Sequence, residues 1–181
     1  KIALKLGYEN YVDLAYARLN RSDYNAIDVA NFRKQVLEVI VPVASNLYER
    51  QAKRLNLESL TYYDEPLKFL NGNATPKGSS NWIIDNAKNM YREMSKETGE
   101  FFDFMSENEL MDLESKKGKS GGGYCEYFAQ YKSPFIFSNF NGTSGDIDVL
   151  THEAGHAFQV YSSRDFDLPE YSWPTYEACE I

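Results

Sequence analysis

The chain has 181 residues, 43% of them hydrophobic and 25% charged, with a formal net charge of −8. That balance belongs to a folded protein of one domain, or to a piece of a larger one, and excludes a disordered chain. The negative charge argues against nucleic acid as the main partner, and no run approaches the roughly 18 apolar residues that a membrane crossing needs.

The opening KIALKLGYENYVDLAY already reads as the inside of a domain. From Tyr24 to Leu55, apolar residues including Ile27, Phe32, Val36, Val39, Ile40, Val43 and Leu47 recur near helical spacing. They predict a long amphipathic helix whose stripe packs into the core, kinked or broken at Pro42. Residues 60–80 hold two prolines and two glycines and predict a loop or short ribbon. Ser80 caps a predicted helix from Asn81 to about Ser95. Ser106 to Glu109 matches a capping box and predicts a further short helix toward Leu113. The stretch ESKKGKSGGG, residues 114–123, predicts a polar turn in which Lys116, Lys117 and Lys119 are solvated and the glycines allow a tight bend before a strand. Alternation in FIFSNF, residues 135–140, predicts a strand with one exposed edge. The fold class expected is mainly α with a small β-sheet or hairpin, with residues 1–113 mostly helical and residues 114–181 holding a strand and the metal-binding helices.

Both histidines of the chain lie in VLTHEAGHAFQVY, residues 149–161. An uninterrupted helical pattern runs through this stretch, so His152 and His156 fall one turn apart on one face and can reach a single ion. Glu153 is rotated by about 100° from His152 and stands beside that ion, where a general base for an activated water belongs. Two imidazoles and an open position favour one catalytic zinc per chain.

A catalytic zinc takes a third protein ligand, and no histidine remains to supply it. The choice is a carboxylate or Cys179. Asp165, Asp167 and Glu170 sit in a predicted loop, where carboxylates are usually solvated. Glu177 lies in TYEACEI, which follows Pro174 and reads as the opening of another helix, a more rigid platform. Glu180, one turn further, is a second candidate, as ligand or as support for one. Asp148, one turn before His152, either orients an imidazole or is an exposed helix-start acid. Cys125 and Cys179 lack CxxC spacing and read as a reduced cytoplasmic pair.

Three blocks in this order, GKSGGGYCEY at 118–127, SPFIFSNFNGTSGDIDVLTHEAGHAFQ at 133–159 and YEACEI at 176–181, resemble the zinc oligopeptidases typified by oligoendopeptidase F and thimet oligopeptidase. The resemblance implies a partial zincin-like (gluzincin) catalytic core, with His152, His156 and Glu177 as zinc ligands and Glu153 as the general base. It also implies that the strand before the motif helix binds substrate backbone along its edge, and that the substrates are short oligopeptides cut at internal bonds. Family members continue beyond the Glu-bearing helix into a segment that helps bind substrate, whereas this chain stops at Ile181 and begins with Lys1. The chain is therefore expected to be a fragment of a longer enzyme. Two rival readings are a zinc carboxypeptidase using the same apparatus and a catalytically silent fragment that retains the ligands.

Overall fold

A computed structural model describes residues 1–180; Ile181, the last residue of the YEACEI block, lies outside the described residues. The chain divides into two compact units, Lys1–Asn73 with Thr175–Ile181, and Ala74–Pro174.

The first unit opens with α1 (Ile2–Lys5) and α2 (Tyr11–Arg18), the latter capped by the Asn10 side chain accepting from the Val12 amide at 2.7 Å. α3 (Ala26–Gln35) starts with a reciprocal capping box between Asn25 and Asp28. It passes through a π-type segment, Val36–Ile40, straight into α4 (Val41–Arg54). Pro42 therefore does not break the helical run. Its missing amide falls in the first turn of α4, and the wider π turn just before it absorbs the mismatch. The apolar stripe of this rod is present, as the periodicity predicts, but it is not core: Ile27 is 71% exposed, Phe32 65% and Val39 61%. Periodicity reports that a face exists and carries no information about what covers it. Residues between α4 and residue 80 hold no helix or strand, in line with the loop prediction, and Gln51 fastens this loop by donating to the carbonyls of Glu65 and Leu67.

The second unit begins with α5 (Ser80–Met94) and α6 (Lys96–Glu107). Ser95 caps α6 by accepting from the Thr98 amide. The predicted helix from Ser106 toward Leu113 does not exist. Ser106 lies inside α6 and its hydroxyl donates back to the Phe102 carbonyl at 2.8 Å, and the chain then enters β1 (Met111–Glu114). β2 (Tyr124–Phe128) and β3 (Ser133–Phe140) complete a sheet of order β1-β3-β2. β3 is central, parallel to β1 with Met111 opposite Ile136, and antiparallel to β2 with Tyr124 opposite Phe137. The expected exposed edge on β3 is thus overturned over most of its length: β1 pairs along residues 136–140 on one side and β2 along residues 133–137 on the other, and among the described residues the outer strands are β1 and β2. Lys119 also departs from the solvated turn. Its side chain is only 6% exposed, its Nζ donates to the carbonyls of Asp112 and Glu114 at 2.9 and 2.8 Å, and it lies 4.4 Å from the centre of the Phe137 ring.

α7 (Gly145–Ser163) packs on the inner face of the sheet, and Phe101, Phe102, Met105, Ile136, Leu150, Ala154 and Ala157 form one core between α5, α6, the sheet and α7. Ala154 and Ala157 are fully buried, and their small side chains allow the helix backbone close to the strands. The last helix, α8 (Tyr176–Cys179), belongs to the first unit.

Candidate metal centre

The turn from β3 into α7 is closed by one buried acid. Asp146, 5% exposed, accepts from the amides of Asn141 and Gly142 at 2.9 and 2.8 Å, holding the backbone that aims α7. The glycine run serves the same unit. Gly122 adopts a left-handed φ of 101°, and a Cβ on Gly123 would lie 3.0 Å from a methyl of Val149 on α7. The strand that follows can approach α7 because Gly123 has no side chain.

On α7 the motif separates by face. Glu153, 7% exposed, turns toward the core with Leu150, Ala154 and Ala157, while His152 is exposed and His156 half-buried. The Nε2 atoms of His152 and His156 approach to 3.0 Å, with the rings nearly perpendicular at 87°. A tetrahedral zinc with Zn–N bonds of about 2.0–2.1 Å sets two nitrogen ligands roughly 3.3 Å apart, so the pair fits that ion with a small adjustment of side-chain torsions. Cys125, on β2, carries a free thiol that burial, and then the nearby Glu153 charge, pushes up to about 12. It is a neutral thiol beside the proposed base, not a thiolate ligand.

The acids considered from sequence fall in different settings. Asp148 is exposed on the first turn of α7. Asp165 forms a surface ion pair with Lys132 at 2.6 Å, and Asp167 and Glu170 are exposed. Glu177 accepts from Arg21 Nε at 2.6 Å, and the Arg21 guanidinium also lies 4.6 Å from the centre of the Tyr16 ring. The Tyr24 hydroxyl, with the local backbone amide and Arg21, holds the Glu177 carboxyl below the usual carboxylate range. Glu180 is exposed. Sequence reasoning did not find Arg21 and Tyr24, and no spacing rule points to them, because they lie more than 150 residues from Glu177 in the chain.

Comparison with known proteins identifies the family of the chain. The model of peptidase family M3 matches residues 85–181, more than half of the chain. A Bacillus anthracis str. Ames protein assigned to oligoendopeptidase F is 64% identical, with a TM-score of 0.95, over 99% of this chain and 33% of its own. PZ peptidase A, solved with an inhibitor, is 66% identical with the same TM-score, over 99% of this chain and 32% of its own. A Chlamydophila abortus chain assigned as a peptidase shares the fold at 18% identity and a TM-score of 0.68, over 96% of this chain and 28% of its own. No curated protein matches the chain. The chain spans about a third of the length of the solved relatives it matches. Among the described residues no helix is long and apolar enough to cross a membrane. The chain belongs to peptidase family M3.

Proposed function

We propose that this chain is the motif-bearing third of a zinc-dependent oligoendopeptidase, which hydrolyses internal bonds of short peptides. The observation that carries the reading is the pair of Nε2 atoms 3.0 Å apart on one face of α7, with the buried Glu153 on the turn between them. A bound zinc would polarise the scissile carbonyl and acidify a water.

The residues of the chain supply the rest. His152 and His156 each present the Nε2 lone pair, which requires both rings neutral with the proton on Nδ1. Glu153 takes the proton of the attacking water and delivers it to the departing amine. Its burial keeps bulk water from competing for the same carboxylate. Because β3 is paired on both sides, extended substrate would align on the open edge of β2, the strand whose Cys125 senses the Glu153 charge.

The sequence reading favours Glu177 as the third ligand. Its carboxylate already accepts a charged hydrogen bond from Arg21 within its own unit, so one of its oxygens is taken by another cation. Glu180, one turn on, offers a ligand atom, as His152 and His156 do. We therefore assign the third position to Glu180 and give Glu177 the task of holding α8 through Arg21.

The test of the base is Glu153→Gln in the full-length enzyme. Zinc content should stay near wild type while turnover of an internally quenched peptide falls by roughly 10²–10⁴, the range for a lost general base. Turnover within twofold of wild type would remove Glu153 from the mechanism. Retained cleavage of C-terminally amidated peptides would separate this reading from the carboxypeptidase one.

A further inference from the structure

Which groups of β2 face outward follows from its partner strand. β3 has no amide proton at Pro134, and the Ile136 amide turns the other way, donating to the Leu110 carbonyl at 3.0 Å. These two residues stand opposite Tyr127 and Cys125. In an antiparallel ladder a residue sends its N–H and C=O to the same side, and opposed pairs alternate between bonded and unbonded. β3 therefore bonds Tyr124, Glu126 and Phe128, and the N–H and C=O of Cys125 and Tyr127 are left on the outer edge. One of these two amides has a partner from its own strand: Tyr127 N donates to Glu126 Oε1 at 2.9 Å. The Glu126 side chain is exposed and in no ion pair among the described residues, and it occupies the place an incoming carbonyl would take. Lys132, the cation of the β2–β3 turn, is engaged instead by Asp165 at 2.6 Å.

A charged residue is a common guard on an exposed strand edge, because an approaching strand must displace it. On an edge that takes substrate the same carboxylate becomes a selector. We propose that Glu126 is a specificity-determining residue, favouring peptides that bring a cation, a Lys or Arg side chain or the α-ammonium, next to Tyr127. A peptide carbonyl that takes the Tyr127 amide displaces the carboxylate, which then stands beside the bound strand with its charge unpartnered. A cation there restores a charged hydrogen bond, whereas an acid adds repulsion between neighbouring strands. Burial, the Glu153 charge and the Glu126 charge all raise the Cys125 thiol, so the selector lies on the same stretch of β2 as the proposed base. The proposal rests on the reading above that peptides align along β2.

Glu126→Gln isolates the charge, because the Gln side-chain carbonyl can still accept from the Tyr127 amide. The experiment uses the full-length zinc enzyme and internally quenched peptides of one length. A single position, walked along the peptide, is Lys or Glu, and each peptide is made with a free and with an acetylated N-terminus. In wild type, one position is expected to give a Lys-over-Glu ratio of kcat/KM of about 4–25, since attraction and repulsion at an exposed pair are each worth about two- to fivefold. In Glu126→Gln that ratio should fall to near one, in Glu126→Lys it should invert, and the change should appear in KM. If acetylation carries the whole difference in wild type and is silent in Glu126→Gln, the α-ammonium is the cation. A Lys preference that persists in Glu126→Gln, or ratios within twofold at every position with acetylation silent, would overturn the proposal and leave the peptidase reading intact. No cleavage of any peptide by the wild-type enzyme would remove that reading, and the role of Glu126 with it.

Discussion

Arg21 donates from Nε to Glu177 Oε1 at 2.6 Å, joining two residues that are 156 positions apart in the sequence. The bond separates the two acids of the last segment. Glu177→Gln is expected to leave zinc stoichiometry unchanged, whereas Glu180→Gln should raise the zinc dissociation constant by more than tenfold. The reverse order, measured by the same chelator competition, would restore Glu177 as the ligand.

The same pair has a pH signature. The folded-state pKa of Glu177 is depressed, so its contribution to stability is present above the ordinary carboxylate range and is lost as pH falls through the lowered value. In Arg21→Met the Glu177 carboxyl should titrate at higher pH than in wild type. Carbon-detected NMR of the glutamate side chains reads this directly, and an unmoved titration would show that Arg21 does not set it.

Cys125 makes an opposite prediction in the alkaline range. Its thiol is pushed from 9.0 up to about 12 by burial and the Glu153 charge, so the folded protein keeps it neutral where the unfolded chain has lost the proton. Stability held through Cys125 is full below about pH 9 and declines as pH rises from there toward 12. At pH 8 the thiol should alkylate far more slowly than a free-thiol peptide. Glu153→Gln should bring part of that reactivity back, since one of the two causes is gone. Equal rates in the two proteins would mean that Glu153 does not act on the thiol.

At Gly123 the chain entering β2 runs close to the motif helix. Gly123→Ala sets a methyl 3.0 Å from Val149 Cγ1 and should cost about 1–3 kcal/mol through overpacking. Adding Val149→Ala makes room, and a double-mutant cycle in urea should recover most of the loss. Additive losses would place the strain elsewhere.

The motif helix was legible in the sequence because ligand chemistry and helical periodicity agree there: a helix brings His152 and His156, four residues apart, close enough to share one ion, which a strand does not. α6 was not legible, although it holds three fully buried large side chains, Phe101, Phe102 and Met105. Gly99 lowers helix propensity in its first turns, and charges surround it. The structure gives the reason for that glycine: a Cβ there would meet the Arg92 backbone at 3.1 Å, so Gly99 is what lets α6 lie against α5. The apparent capping box at Ser106 misled because a serine inside a helix can bond back to the preceding turn. Strand FIFSNF was readable as a strand, but its place at the centre of the sheet was not, since alternation fixes which face is buried and says nothing about which edges are paired.

The most direct measurement is zinc per chain after dialysis against trace zinc, by elemental analysis, in wild type and in His152→Ala. About one equivalent in wild type and almost none in the variant is the result expected if the two Nε2 atoms are placed for a shared ion. A wild-type chain without zinc, or a variant that keeps it, would contradict the metal centre on which the proposed function stands.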